Sequence, residues 1–314
     1  MSKRDLVLSL LEQNQSPNYI PGAFFLHFDP SFHKGEAAVK KHLEFFHYTG
    51  MDIVKIQYEH HFPTNIDLRT PRDWLKVPVY KEDFFEEPLY VIKRLVEQAK
   101  KDALVIVTLY SPFMIAGQIN GQEVITRHII DDPNKAKVGL AAVTESMLNF
   151  VRACVRYGVD GFYTSTQGAE EFRFPSLEPF YECIKPFDLE IMREVNQTTL
   201  FNILHVCDYH GGYADLTQFY DYPGDIVNSN LQVGSEKFSP KKISSMFHRP
   251  FMGGLERKSI IATGTKEQIE NEVVDIIKKS PDQFFLAADC TVPSETNWDN
   301  LKTAIDTAHH YKKA

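Results

Sequence analysis

The chain has 314 residues, a formal net charge of −8 at pH 7 and 43% apolar residues, values typical of a globular protein with a substantial core. Its lysines and arginines are dispersed among acidic residues, which excludes the basic stripe that a nucleic-acid partner requires. The length is normal for one closed α/β barrel, so we expect a single domain over residues 1–314.

The start of the chain shows no pattern of a targeting signal. Charged residues interrupt the first 15 positions, where a signal peptide would have an apolar segment. No apolar run reaches the roughly 18 residues of a membrane span. We therefore expect a cytoplasmic protein without a membrane partner, whose four cysteines stay free for metal binding or burial.

Short apolar runs alternate along the chain with longer segments whose apolar residues recur every three or four positions. In chain order, we predict strands at residues 23–28, 52–57, 104–110, 161–166, 198–206, 225–230, 251–255 and 284–289. The intervening segments are predicted as helices at residues 36–48, 89–101, 135–157, 177–196, 213–220, 240–247, 266–280 and 297–310. Eight such pairs are the number that closes a TIM barrel, so we predict an α/β protein with a (β/α)8 fold.

Each of the three longest connections joins the end of a predicted strand to the start of the next helix. They cover residues 60–84, 111–133 and 167–176. Connections that follow strands lie at the carboxyl face of a β/α barrel, which is where enzymes of this fold build their sites. We therefore expect a functional site at this face.

Three residues of the types that bind zinc end two of the predicted strands. His205 and Cys207 end the fifth strand and Cys290 follows the eighth. Residues two apart in a strand point to the same side, and a barrel brings both strand ends to one rim. Thiolate and imidazole select zinc over magnesium or calcium. Each residue alone is more often a structural thiol or histidine, but the convergence of three favours a zinc site.

Two segments resemble the uroporphyrinogen decarboxylase superfamily. They are His205-Val206-Cys207 and the stretch from Ala287 to Thr296, which is followed by Asn300-Leu301. Within the superfamily the chain looks most like the zinc-dependent methyltransferases that move methyl groups between a corrinoid protein and a thiol. The resemblance implies a zinc ion, a methyl donor that is a corrinoid on a partner protein or free methylcobalamin, and a small thiol substrate.

The chain departs from its relatives in two places. The decarboxylases carry an arginine-rich segment near the amino terminus, whereas residues 19–33 contain no arginine. The methyltransferases often supply an acidic fourth ligand after the sixth strand, where this chain has only asparagine and serine, at residues 228–230. The fourth zinc position is therefore open to water, to substrate, or to Glu59, Glu170 or Gln57.

Other polar residues on the same rim are candidates for substrate contact. We predict His27 as a cofactor-binding residue and Gln57, Glu59, Tyr110 and Gln167 as catalytic residues. An equal alternative for each is a structural role, since barrel rims use such side chains to satisfy the backbone of their loops.

The carboxylates beside the ligand cysteines have a different predicted role. We expect Asp208 and Asp289 to accept a hydrogen bond from the zinc-bound imidazole.

Three functions are compatible with these features. The first is a zinc-dependent methyltransferase with a corrinoid donor and a thiol acceptor. The second is a metal-free, decarboxylase-like carboxy-lyase acting on a tetrapyrrole, and the third is a non-catalytic barrel with a structural zinc. The ligand pattern favours the first over the second, and the absence of an evident fourth ligand disfavours the third, because structural zinc sites are normally closed by four protein ligands.

Overall fold

A sheet of seven parallel strands forms the centre of the fold in the computed structural model, which describes residues 2–11 and 19–312. The strands follow one another around the sheet in chain order, so each one pairs with the next. They are β1 (Ile53–Ile56), β2 (Leu104–Tyr110), β3 (Gly161–Thr166), β4 (Ile203–Val206), β5 (Ile226–Ser229), β8 (Phe251–Leu255) and β9 (Phe284–Ala288). A separate antiparallel pair consists of β6 (Gln232–Val233) and β7 (Glu236–Lys237).

Helices connect the strands. They are α1 (Lys3–Leu8), α2 (Gly35–Thr49), α3 (Glu86–Ala99), α4 (Pro112–Asn120), α5 (Gln122–Asp131), α6 (Pro133–Tyr157), α7 (Glu178–Cys183), α8 (Lys185–Thr198), α9 (Pro240–Phe247), α10 (Ile260–Thr263), α11 (Lys266–Lys278) and α12 (Trp298–His310). Several begin at strong caps: the Ser239 side chain accepts from the third residue of α9, and Thr265 with Gln268 forms a capping box at α11. The alternation of parallel strands with helices confirms the predicted TIM-barrel-like fold.

The predicted first strand, residues 23–28, is wrong as a regular strand, yet the chain before it joins the two ends of the sheet. The Leu286 N–H donates to the Pro21 carbonyl at 2.8 Å, and the Leu286 carbonyl accepts from the Ala23 N–H at 3.0 Å. On the other side, the Asp52 N–H donates to the carbonyl of Gly22 at 3.0 Å. These bonds make an isolated parallel bridge between Gly22 and Leu286 rather than a ladder along residues 23–28.

Two predicted elements begin or break at other places. The predicted helix 177–196 is two helices, because Pro186 cannot donate to the turn before it and so α7 ends at Cys183. The predicted strand 198–206 starts only at Ile203, since Thr198 is still the last residue of α8. In both cases the periodicity of the apolar residues predicted the correct type of element, and only its boundaries were wrong.

Two connections also differ from expectation. The predicted helix 213–220 is reduced to a single 3₁₀ turn, Thr217–Phe219. Conversely, the connection 111–133 contains α4 and α5, whose helical pattern the sequence analysis assigned to a loop. These two helices cover the carboxyl rim of the sheet between β2 and β3, and their residues line the cavity described below.

One helix, α6, is long and apolar enough to cross a membrane by length and composition. Of its most apolar window, 61% is buried inside the molecule. It packs against α3, α4, α5 and α8. Its composition is therefore that of a helix at the centre of a helical layer.

A buried carboxyl group links the helical layer to the sheet. Asp188 in α8 is fully buried, and its Oδ2 accepts hydrogen bonds from Thr166 Oγ1 at 2.6 Å and from the Tyr222 hydroxyl at 3.1 Å. No cation is paired with this group among the described residues. Burial raises the pKa of Asp188 to about 7, well above its ordinary value, although the two donors oppose the shift.

This raised pKa predicts a pH-dependent penalty on folding. An unfolded Asp titrates near pH 3.9, whereas the folded carboxyl keeps its proton until about pH 7, so stability falls as the pH rises between these values. The penalty at pH 8 is at most about 4 kcal/mol. We expect Asp188→Asn, which keeps an acceptor for Thr166 and Tyr222, to be more stable than the wild type at pH 8 and to lose this advantage near pH 4.

Urea denaturation at pH 4, 6 and 8 measures this difference. Asp275→Asn, a change at an exposed position of α11, is the matched control and should show no such trend. A wild type whose stability relative to Asp188→Asn is constant across the three pH values would contradict the prediction.

Candidate metal centre

The structure brings the three predicted metal ligands together at one point of the carboxyl rim. His205 lies in β4, Cys207 follows that strand directly, and Cys290 lies two residues beyond the end of β9. All three side chains are buried, and their candidate ligand atoms lie within 4.8 Å of one another. The folded barrel thus joins residues that are 83 positions apart in sequence.

The geometry of these atoms fits a metal ion. The two sulfur atoms are 4.0 Å apart. A tetrahedral zinc with bonds of about 2.3 Å to each sulfur would require roughly 3.8 Å. In addition, Nδ1 of His205 is buried without a hydrogen-bond partner among the described residues. A buried polar atom of this kind is costly unless a further ligand, ordered water or ion completes its surroundings. The donor set and its spacing therefore fit zinc.

The electrostatic surroundings favour a thiolate at this point. The pKa of the Cys290 thiol is held well below its ordinary value because the Cys207 thiol hydrogen-bonds to its sulfur and because His205 and Arg257 lie nearby, against the opposing effect of burial. The same contact raises the pKa of Cys207. The contact between the two sulfurs thus favours ionisation of one thiol and opposes ionisation of the other.

The residues considered for the fourth ligand position are engaged elsewhere. Glu59 Oε1 lies 2.7 Å from Nδ1 of His27, and the Gln57 amide donates to a backbone carbonyl at 2.9 Å. Glu170 pairs with Arg173 at 2.9 Å. Among the described residues, no fourth histidine, cysteine or carboxylate belongs to the cluster. A metal ion held by these three residues would keep a fourth position for water or substrate, which is typical of catalytic zinc sites.

Asp208 and Asp289 have a different role from the one expected for them. Neither accepts a hydrogen bond from His205. Instead, Arg257 binds both, through Nη1 to Asp208 Oδ1 at 2.8 Å and through its backbone N–H to Asp289 Oδ1 at 2.9 Å. Asn230 also donates to both carboxylates, at 2.7 and 3.0 Å. The two carboxylates thus tie together the loops that carry the two ligand thiols.

A cavity of about 1000 Å³ opens above the three ligands. His27, Tyr110 and Gln167 line it, as predicted for rim residues, and Gln167 Nε2 donates to the Cys207 sulfur at 3.3 Å. Gln57 and Glu59 do not line it, since they face a separate, much smaller cavity. The structure therefore places three of these five candidates in the wall of the large cavity and two at the smaller one.

The sequence analysis missed a buried lysine in this cavity. Lys55 is 6% exposed, and its Nζ contacts Gln57 Oε1 at 3.2 Å and lies over the rings of Phe25 and Tyr163. No carboxylate pairs with it among the described residues, and burial lowers its pKa to about 7. A lone lysine inside the apolar strand Ile53–Ile56 was the sequence signal that could have identified it.

Comparison with known proteins decides the family. The sequence profile described as uroporphyrinogen decarboxylase (URO-D) matches residues 43–311. The chain belongs to this family. The resemblance seen in the two sequence segments is thereby confirmed, and the family match extends over all seven parallel strands.

Two of the proteins to which this chain is similar are described as methyltransferases. The chain is 24% identical over 208 residues to the methylated-thiol coenzyme M methyltransferase of Methanosarcina mazei. That match covers 64% of this chain but only 52% of the relative, so it spans about half of that protein's length. A solved methyltransferase structure from M. mazei matches with a TM-score of 0.79 at 16% identity and covers 98% of both chains.

A more distant structural neighbour extends the likeness of the fold. A B12-independent methionine synthase from Shewanella sp. W3-18-1 matches with a TM-score of 0.58 at 10% identity, over 93% of this chain and 97% of the other. At such identities, the structural matches show the barrel fold alone.

Metal analysis tests the three ligands directly. We expect the purified protein to hold about one equivalent of zinc, and Cys290→Ser and His205→Ala to retain less than about a tenth of it, because each change removes one of only three protein ligands. Cys183→Ala, at a buried thiol remote from the cluster, is the matched control and should bind like the wild type. A wild type that stays metal-free after incubation with zinc would rule out the site.

Proposed function

We propose that this protein is a zinc-dependent methyltransferase that moves a methyl group from a corrinoid donor to a thiol. The observation that carries the proposal is the buried cluster of His205, Cys207 and Cys290, which leaves a ligand position free beneath a cavity large enough for a small substrate. The family and the similarity to a methylated-thiol methyltransferase support it.

The donor set suits the activation of a thiol. The chemistry that zinc supplies when bound is Lewis acidity, which lowers the pKa of a coordinated thiol substrate so that it is a thiolate at neutral pH. Cys207, Cys290 and neutral His205 together balance the charge of a divalent ion. The added substrate thiolate therefore keeps the electron density that an attack on a methyl group requires.

The charges around the cavity favour a thiol that carries an anionic group. Lys55, Arg127 and Arg173 line the cavity, whereas Glu123 is the one carboxylate among its lining residues in the described part of the chain. Arg173 is already paired with Glu170, but Lys55 has no such partner there. We infer that Lys55 contacts the anionic end of the acceptor while the thiol lies at the metal. The negative charge of the acceptor would raise the pKa of Lys55 and so keep its ammonium group protonated.

The outer wall of the cavity provides a contact surface for the methyl donor. Ile130, Phe172 and Tyr209 line the cavity and are 53%, 61% and 63% exposed, respectively. Large apolar side chains gathered around a cavity mouth are typical of a surface that meets another molecule. We propose that this surface receives the corrinoid, whether on a partner protein or as free methylcobalamin.

Neither alternative function has comparable support. A tetrapyrrole with several carboxylates would need several unpaired guanidinium groups. Of the two arginines that line the cavity, Arg173 is held by Glu170, which leaves Arg127, and residues 19–33 supply none. A purely structural zinc would be closed by four protein ligands, and the cluster offers three.

Enzyme assays with Lys55→Met test both the reaction and the acceptor class. We expect the zinc-loaded wild type to methylate small thiols from methylcobalamin. For a thiol with a carboxylate or sulfonate, Lys55→Met should raise KM by about 10-fold or more, the usual effect of losing a charged hydrogen bond. For a neutral thiol of similar size, KM should change little.

Lys40→Met, at an exposed position of α2, is the control for loss of a positive charge. Failure of the zinc-loaded wild type to methylate any thiol in a broad panel would reject the proposed reaction. Equal KM changes for the anionic and the neutral thiol would reject the role given to Lys55.

A further inference from the structure

A chain of hydrogen bonds runs from a buried ion pair to one of the candidate metal ligands. Arg173 is bound by Glu170 through Nε at 2.9 Å and Nη2 at 3.1 Å. The same Nη2 donates to Gln122 Oε1 at 2.8 Å. Gln122 Nε2 donates to Gln167 Oε1 at 2.5 Å, and Gln167 Nε2 donates to Cys207 Sγ at 3.3 Å.

Arg173 fixes the donor-to-acceptor direction of this series of hydrogen bonds. An arginine side chain can only donate hydrogen bonds, so the Gln122 amide must turn its oxygen towards Arg173 and its NH2 group towards Gln167. Gln167 must then accept with its own oxygen, and this leaves its NH2 group facing the Cys207 sulfur. Because the two ends of an amide have nearly the same shape, the arginine at the start of this series decides which end of each amide faces its neighbour.

Arg173 is itself held in one orientation. Its side chain is 5% exposed, and its guanidinium lies over the rings of Phe113 and Phe172. Glu170, the partner of Arg173, also accepts from the backbone N–H of Gly168 at 3.0 Å. The series of hydrogen bonds therefore begins at a rigid, charge-assisted contact, the ion pair of Arg173 and Glu170.

We propose that Arg173 and Gln122 are positioning residues that force the Gln167 amide to donate to the Cys207 thiolate. Such a donor withdraws electron density from the sulfur. The protein thiolate then remains a ligand, while the substrate thiolate is the better nucleophile at the same ion. This inference rests on the proposed metal site. It adds that Gln122, in α5, influences the electron density on the Cys207 sulfur, although α5 supplies none of the candidate ligands.

Replacing Gln122 with Glu tests the proposal with little change of shape. A carboxylate still accepts from Arg173 but cannot donate to Gln167, so the Gln167 amide turns over and presents its oxygen to the sulfur. With cobalt(II) in place of zinc, the sulfur-to-metal charge-transfer band should move to longer wavelength, since the sulfur electrons rise in energy. Zinc affinity should fall by roughly 10-fold, the lower end of the range for residues that orient metal ligands.

Gln118→Glu is the matched control, because it adds the same charge to the same cavity wall outside the hydrogen-bonded chain. It should shift neither the band nor the affinity. Gln167→Leu, which removes the donor itself, should shift both in the same direction as Gln122→Glu. Gln122→Met, which can neither accept nor donate these bonds, repeats the test without added charge, and thermal melting of each variant establishes that it folds.

The outcomes separate the two proposals. A wild type that binds neither cobalt nor zinc refutes the metal site and, with it, this inference. A wild type that binds metal normally, with a band that Gln122→Glu and Gln122→Met leave in place, refutes the positioning role alone. An equal shift in Gln118→Glu would show that added charge, rather than amide orientation, is the cause, and would also refute it.

Discussion

The site depends on the ring of parallel backbone hydrogen bonds that places the carboxyl ends of the strands at one rim. The ladders run from β1 to β9, and the segment 21–23 joins the two ends through bonds to Leu286 and Asp52. Because the seven strands of this sheet run in the same direction, each contributes its last residues to the same face. His205 and Cys290 meet for this reason.

A second constraint brings the two thiols to ligand distance. Strand direction alone places them on a common rim, but β5 and β8 lie between β4 and β9. Arg257 and Asn230, which each bind both Asp208 and Asp289, hold the two loops together next to the thiols. The carboxylates beside the ligands thus act on the backbone that carries the sulfurs, rather than on the imidazole.

Sequence patterns predict two kinds of feature: helices and strands, which follow from the period of the apolar residues, and pairs of residues that are close together in sequence. Seven of the eight predicted strands are present, because a buried strand in a parallel sheet is a continuous apolar run between turn residues. The first predicted strand has the same apolar character, yet its segment joins the sheet only through the isolated bridge at Gly22, because apolar character alone does not specify which backbone groups pair. The candidate site was recognisable because the predicted strand ends bring Cys290 to the same rim as the closely spaced pair His205 and Cys207.

The sequence by itself determined the fold class and the chemical character of the candidate ligand set, since both follow from residue type and period. The tertiary structure alone decided which polar groups reach the ligands. Gln122 meets Gln167 only because α5 folds over the rim, and Lys55 faces the cavity only because the sheet curls. Such contacts join residues far apart in the chain, and no local pattern records them because their geometry arises from packing.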